Sequence, residues 1–234
     1  MTQQNRRRRA ATTTKTDPWQ EQRQALWEVC QQMYQRGLVG AFSGNASLRL
    51  PASEGQLLVT PTHNSYYGLK PEELVVVDLA GQPLSAGRKP SSETPLHLEI
   101  YRQRPDVMAV VHTHSRYASA AAVAGREIPP IIDEMVSSIG GAVRLAEYTM
   151  PGTADLGRAA CRALGSHQAA LLRNHGVVGV GAGIWEALEV CDLVERVAQI
   201  FVLAQVFGSG SATPLAPDII ERQLALLRQR RSAG

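Results

Sequence analysis

The chain has 234 residues, 44% of them hydrophobic and 19% charged, with 20 glycines and 13 prolines dispersed along it. That composition fits one domain with a large core and excludes fibrous, low-complexity and bilayer-spanning chains, since no apolar run is long enough to cross a membrane. The net charge of +3 belongs to a tail: Arg6, Arg7, Arg8, Arg9 and Lys15 give residues 1–16 a charge of +5 without an acid, leaving about −2 elsewhere and no basic face for nucleic acid.

Residues 1–16 are expected to form a disordered basic extension, and 17–234 a single domain. Cys30, Cys161 and Cys191 are odd in number and lack CxxC spacing, so neither a disulfide framework nor a thiolate metal site is indicated. With no secretory signal, a reducing cytoplasm is the expected setting.

Asp17-Pro18 predicts a helix start and Gly37 its end, giving a helix over 18–36. A glycine-rich passage, 40–44, leads into short apolar stretches at 46–50, 57–60 and 74–78 that read as antiparallel strands. Ser92 is expected to cap a helix over 93–103 that Pro105 ends, and 108–113 reads as a buried strand. A small-residue helix is predicted at 115–124, and Gly152-Thr153 opens another at 154–164. A strand is predicted at 169–175, with a hairpin continuing through 177–180. The longest periodic segment, 184–206, repeats Leu188, Cys191, Val194, Val197 and Phe201 at helical steps, and a last amphipathic helix covers 217–231. Strands and helices alternate without βαβ regularity, so the expected fold class is α/β of the α+β type: one mostly antiparallel central sheet flanked by helices.

His112 and His114 close the apolar run that begins at Met108. On a strand, side chains at i and i+2 share a face, so the two imidazoles project together. His175, at the end of another predicted strand, makes a third. A lone histidine is more often a satisfied core or surface residue, as His63, His97 and His167 are read to be, but three at strand ends suit a catalytic zinc site with one open position. Glu93 is the candidate fourth group, as ligand or general base, although a first-turn glutamate also suits the helix dipole. A second constellation fits an anion. Gly44-Asn45, Thr60-Pro61-Thr62 and Ser91-Ser92 offer backbone N–H groups and hydroxyls, and the serines precede a helix N-terminus.

Together Gly44-Asn45-x-Ser47-x-Arg49, Thr60-Pro61-Thr62, Pro90-Ser91-Ser92-Glu93, His112-Thr113-His114 and Asn174-His175-Gly176 resemble the class II aldolase/adducin family, over about residues 22–207. Within it the resemblance is greatest to the branch acting on L-fuculose 1-phosphate. The resemblance implies a metal-dependent lyase that splits a ketose 1-phosphate, of the L-fuculose or 5-deoxypentulose kind, into dihydroxyacetone phosphate and an aldehyde through an enediolate. It assigns Zn²⁺, or Mn²⁺, Co²⁺ or Fe²⁺ in its place, to His112, His114, His175 and Glu93. Phosphate falls to Gly44, Asn45, Thr62, Ser91 and Ser92, and acid/base work to Glu93. The implied fold is a nine-stranded, mostly antiparallel sheet, assembled as a homotetramer with active sites at subunit interfaces.

Three departures stand out. The family's aldolase takes a tyrosine from the neighbouring subunit, whereas the matching stretch here, 128–135, has none, and Glu134 falls nearest that place as a candidate catalytic residue. The aldolase's tyrosine-bearing C-terminal tail is likewise unmatched, and His63 stands where the aldolase has glycine, crowding or supplementing the phosphate site. Related chemistries on the same metal site are pentulose-phosphate 4-epimerisation, for which the family carries aspartate in place of Glu93, methylthioribulose-1-phosphate dehydration, and decarboxylation of a 3-oxo-tetronate phosphate. A metal-free binding module of the adducin kind has no physical need for the three histidines and Glu93.

Overall fold

The computed structural model describes residues 17–51, 53, 55–63, 65–84, 86–208 and 210–232. The basic extension expected at 1–16 lies outside them. Seven strands form one sheet in the order β3-β2-β1-β4-β7-β6-β5. They are β1 (Asn45–Arg49), β2 (Leu57–Val59), β3 (Val75–Val77), β4 (Ala109–Thr113), β5 (Arg144–Ala146), β6 (Ala169–Leu172) and β7 (Gly176–Gly181). All neighbours are antiparallel except β5 and β6, which run parallel. The mostly antiparallel sheet is therefore as expected, with seven strands among the described residues rather than nine. Isolated bridges at Pro61–Pro90 and Val77–Pro83 mark places where further pairing stops, because proline has no N–H to extend a ladder.

Helices cover both faces. On one lie α1 (Gln20–Gln35), α3 (Arg116–Val123) and α5 (Ile184–Phe207), and on the other α2 (Thr94–Gln103) and α4 (Ala154–Leu164). A last helix, α6, spans Pro217–Ser232. The sorting follows from strand period two: in β4, Ala109 and Val111 join the first core while Val110 joins the second, and in β6, Leu171 and Leu172 divide the same way. The expected stripe of α5 is buried from Leu188 to Phe201. No helix of the described residues is long and apolar enough to cross a membrane, and all three cysteines are free and buried.

Three local expectations need correction. Helix α1 begins at Gln20, because Asp17 instead uses its carboxylate to hold the Trp19 N–H at 3.0 Å and Arg23 at 2.5 Å. Ser92 does not cap α2: the N-cap position is Glu93, and its N–H is held by the Ser91 hydroxyl at 3.2 Å. Strand β6 stops at Leu172, since the chain must reverse into β7 within Arg173-Asn174-His175, which Asn174 achieves with a left-handed φ of 54°. The small-residue helix α3 forms as expected, but its N-terminus is held by Glu195 of α5, whose carboxylate accepts the N–H groups of Tyr117 and Ala118 at 3.0 and 2.9 Å. Thr153 caps α4 as predicted, accepting the Leu156 N–H.

Candidate metal centre and anion cavity

The centre forms where β1, β4 and β7 end together. His112 is the fourth residue of β4 and is fully buried, while His114 lies one residue past the strand, its N–H fixed to the Leu38 carbonyl at 3.1 Å. His175 sits in the tight turn that enters β7, paired with β4 directly alongside. Gly176 makes that approach possible, because a Cβ there would come within 2.2 Å of the Thr113 carbonyl oxygen. Gly44 does the same on the other side: its φ is +75°, and a Cβ would lie 2.7 Å from the His112 carbonyl and 2.5 Å from Val39.

The three rings are mutually edge-on, with centroids 4.7 to 4.8 Å apart. His112 Nδ1 donates to the Val177 carbonyl at 2.7 Å, which leaves Nε2 as the ring atom turned inward. That Nε2 lies 2.9 Å from Nε2 of His114 and 3.2 Å from Oε2 of Glu93, while Nε2 of His175 is 3.3 Å from Oε1 of the same carboxylate. One ligand atom from each of Glu93, His112, His114 and His175 falls within 4.8 Å of all the others. Burial pushes His114 down to about 3 and His175 to about 4, helped by the neighbouring imidazoles, which keeps both rings in the neutral, ligating form. Burial would raise the Glu93 carboxyl, but His112, His175 and the Asn45 amide outweigh it and hold the carboxyl well below the usual range.

These observations fit a divalent cation. One nitrogen from each of three imidazoles is turned to a common point beside a carboxylate, and Glu93 Oε1 is buried without a hydrogen-bond partner. Three imidazoles and a carboxylate, with no thiolate, are the donor set of a borderline metal.

Beside the centre is a cavity of about 320 Å³. Its walls include Gly44, Asn45, Thr62, Ser91, Ser92, Glu93, His114 and His175, so every residue expected to hold an anion faces the metal centre. The Thr62 and Ser91 segments are drawn together by the Thr62 N–H on the Lys89 carbonyl at 3.0 Å and the Ser91 N–H on the Thr60 carbonyl at 2.9 Å. His63 is also in the wall, at a left-handed φ of 51° and 2.9 Å from the Thr62 hydroxyl. Glu134 is elsewhere in this chain, on the surface, paired with Arg196 at 2.8 Å.

Sequence reasoning missed several wall residues. Tyr66, whose hydroxyl donates to the Gly44 carbonyl at 2.7 Å, carries no local signal and arrives by tertiary contact, and Gly152, read only as part of a helix start, joins the same wall. His97, read as structural, is fully buried and bonded to Asn45. Its spacing, four residues after Glu93 on the same helical face, was the available sign.

The Class II Aldolase and Adducin N-terminal domain pattern matches residues 24–202. A 5-deoxy-D-ribulose 1-phosphate aldolase of Bacillus thuringiensis serovar kurstaki is 34% identical over 195 residues, covering 83% of this chain and 91% of that one. A 5-methylthioribulose-1-phosphate/5-deoxyribulose-1-phosphate aldolase of Rhodospirillum rubrum is 36% identical over 177 residues, 76% of this chain and 78% of the relative. Among solved structures, an L-fuculose 1-phosphate aldolase superposes with a TM-score of 0.82 at 29% identity, covering 88% of this chain and 95% of the other. The shared stretch takes in every strand-end imidazole and the α2 N-terminus, and the chain belongs to the class II aldolase and adducin family.

Proposed function

We propose that this chain is a class II aldolase acting on a ketose 1-phosphate of the 5-deoxypentulose or L-fuculose kind, releasing dihydroxyacetone phosphate and an aldehyde. The observation that carries this reading is the convergence of three imidazoles and Glu93 on one point at the edge of a cavity of about 320 Å³. His112, His114 and His175 would hold a divalent ion, Zn²⁺ by the donor set, with Glu93 able to complete the set. When bound, such an ion supplies a Lewis acid for the substrate's carbonyl and hydroxyl oxygens.

The chain's own residues do the rest. Gly44, Asn45, Thr62, Ser91 and Ser92 would receive the phosphate and fix the substrate's position, so that binding energy remote from the reacting bond serves orientation. Glu93 lines both the imidazole cluster and the cavity, placed to take up the proton released from the C4 hydroxyl and pass it to carbon 3 as the C3–C4 bond breaks. Hydroxyls and backbone N–H groups at the phosphate end suit a dianion without the cost of burying several cations.

We further assign the working form to a homotetramer in the cytoplasm. Phe42, in the cavity wall, and Met150, beside wall residue Pro151, are 73% and 67% exposed, apolar surface that a neighbouring copy would cover. In that assembly Glu134 would reach the adjoining site and move the proton of the C4 hydroxyl. E134Q should then lower turnover by about 100-fold; unchanged turnover removes the assignment.

The decisive experiment incubates the protein with a panel of ketose 1-phosphates and Zn²⁺, Mn²⁺ or Co²⁺, and resolves products by mass and retention time. Dihydroxyacetone phosphate with an equivalent of aldehyde is expected. An epimer of unchanged mass, loss of water, or no conversion would overturn the reading.

A further inference from the structure

We propose that His97 is a positioning residue for Glu93, acting through a buried, one-way hydrogen-bond chain that runs Tyr101, Ser47, His97, Asn45, Glu93. This rests on the function assigned above to Glu93, while the chain itself stands on geometry alone. Asn45 Nδ2 is 2.7 Å from Glu93 Oε2, and Asn45 Oδ1 is 2.5 Å from His97 Nε2. His97 Nδ1 is 2.6 Å from the Ser47 hydroxyl, which is 2.8 Å from the Tyr101 hydroxyl. Ser47, His97, Tyr101 and Asn45 are exposed by 0, 1, 2 and 4%.

The direction follows from the donor inventory. An ionised carboxylate only accepts, so the Asn45 atom facing Glu93 must be the NH₂ group, and its carbonyl then faces His97. A carbonyl only accepts, so His97 Nε2 carries the hydrogen. Burial depresses His97 to about 3, keeping the ring neutral with one N–H, and Nδ1 must therefore accept from Ser47. The Ser47 oxygen in turn accepts from Tyr101, whose phenol burial holds in the protonated form. Arg49 anchors that end, donating to the Tyr101 carbonyl at 2.5 Å with its guanidinium 4.7 Å from the ring centre.

The chain gives the Asn45 amide one orientation. Turned over, it would set a carbonyl oxygen against a carboxylate oxygen at about the same 2.7 Å and an NH₂ against a ring N–H, so both contacts become repulsive. Held as it is, Asn45 fixes the carboxylate through Oε2, so that Oε2 stays 3.2 Å from His112 Nε2 and Oε1, which has no hydrogen-bond partner, stays 3.3 Å from His175 Nε2. Asn45 also keeps one N–H for the cavity. Two sequence spacings build this: Asn45 and Ser47 share a face of β1, and Glu93 and His97 lie one helical turn apart.

The test begins on the unaltered, metal-free protein. Long-range ¹H–¹⁵N NMR should find His97 as the Nε2–H tautomer with a bare Nδ1, unchanged between pH 8 and 5. The Nδ1–H tautomer, or a ring that titrates in that interval, overturns the proposal whatever substrate the enzyme takes. Kinetics then test the consequence. H97L should lower kcat by about 10- to 100-fold, the range seen when a residue supporting a metal site is lost, with little change in KM and in metal bound per chain. H97Q, which keeps an N–H for Asn45 and an acceptor for Ser47, should restore kcat to within about threefold, and Ser47→Ala should fall between the two. A folded H97L with full kcat, or an H97Q no better than H97L, overturns it. The tautomer and the Ser47→Ala and H97Q rates decide equally well if H97L is insoluble.

Discussion

The two faces of the sheet are built on different terms. The face under α1, α3 and α5 is mostly hydrocarbon, in which Leu26, Leu171, Leu188 and Val197 are wholly buried. The face under α2 and α4 is hydrocarbon at its centre, with Val110, Leu96 and Leu164, but its corner at the ends of β1 and β4 buries Asn45, Ser47, Glu93, His97 and His112. The first face is stabilised chiefly by apolar burial, although the Thr113, Ser115 and Ser119 hydroxyls lie buried at that side without a hydrogen-bond partner; on the second, the buried polar groups cost desolvation and hold because most are hydrogen-bonded. Strand β1 carries both programmes in five residues: Ala46 and Leu48 turn to the apolar core, Asn45 and Ser47 to the reactive corner. The comparison teaches that the stable face offsets the cost of the chemical one.

Breaking either face should therefore have different signatures. The largest effect is expected from H112A and H114A, which should each abolish metal-dependent release of dihydroxyacetone phosphate, a loss beyond the roughly 100-fold caused by removing a residue that merely supports a ligand. Either variant at normal activity would mean the centre is misplaced; metal content per chain, measured alongside, should drop with the activity.

Leu188→Ala on the hydrocarbon face should cost about 2–5 kcal/mol of stability, read as a lower denaturant midpoint, while kcat per folded molecule stays unchanged. A fall in kcat as large as that of the histidine variants would erase the division between the faces.

A milder perturbation separates them by pH. The unfolded chain takes up a proton on His97 below its ordinary value of 6.5, whereas the folded chain keeps that ring neutral down to about 3. Stability should thus be unaffected above pH 6.5 and fall as pH drops below it, by about 1.4 kcal/mol per unit for this one group. H97Q should flatten that slope in urea melts of the metal-free protein; an equal slope in both proteins would place the acid sensitivity elsewhere.

Much of the site was legible because its residues come in short, rule-bound spacings. His112 and His114 at i, i+2, Gly44-Asn45, and Ser91-Ser92-Glu93 at a helix start each carried a local reason, and all but the buried His112 line one cavity. The role of Asn45 was only half visible: as part of a glycine turn it reads as an anion contact, whereas the fold also commits its amide to Glu93 and His97. Strand β5 escaped notice because three residues, with Arg144 exposed, show no period and form only by pairing with β6. Residue Ser92 looked like a cap by type, but the helix boundary falls one residue later, at Glu93, whose carboxylate is turned to the imidazoles instead of capping.

Alternation and helical period are properties of the chain alone, so the sequence by itself determined which residues share a face, where most helices lie, and that three imidazoles end near strand termini. What only tertiary structure decided is which faces meet. The direct pairing of β7 with β4 carries His175 to a partner more than sixty residues distant, and the register of β1 on β4 sets Asn45 opposite His112. Such contacts depend on packing between segments far apart in the chain, where no local spacing records the outcome.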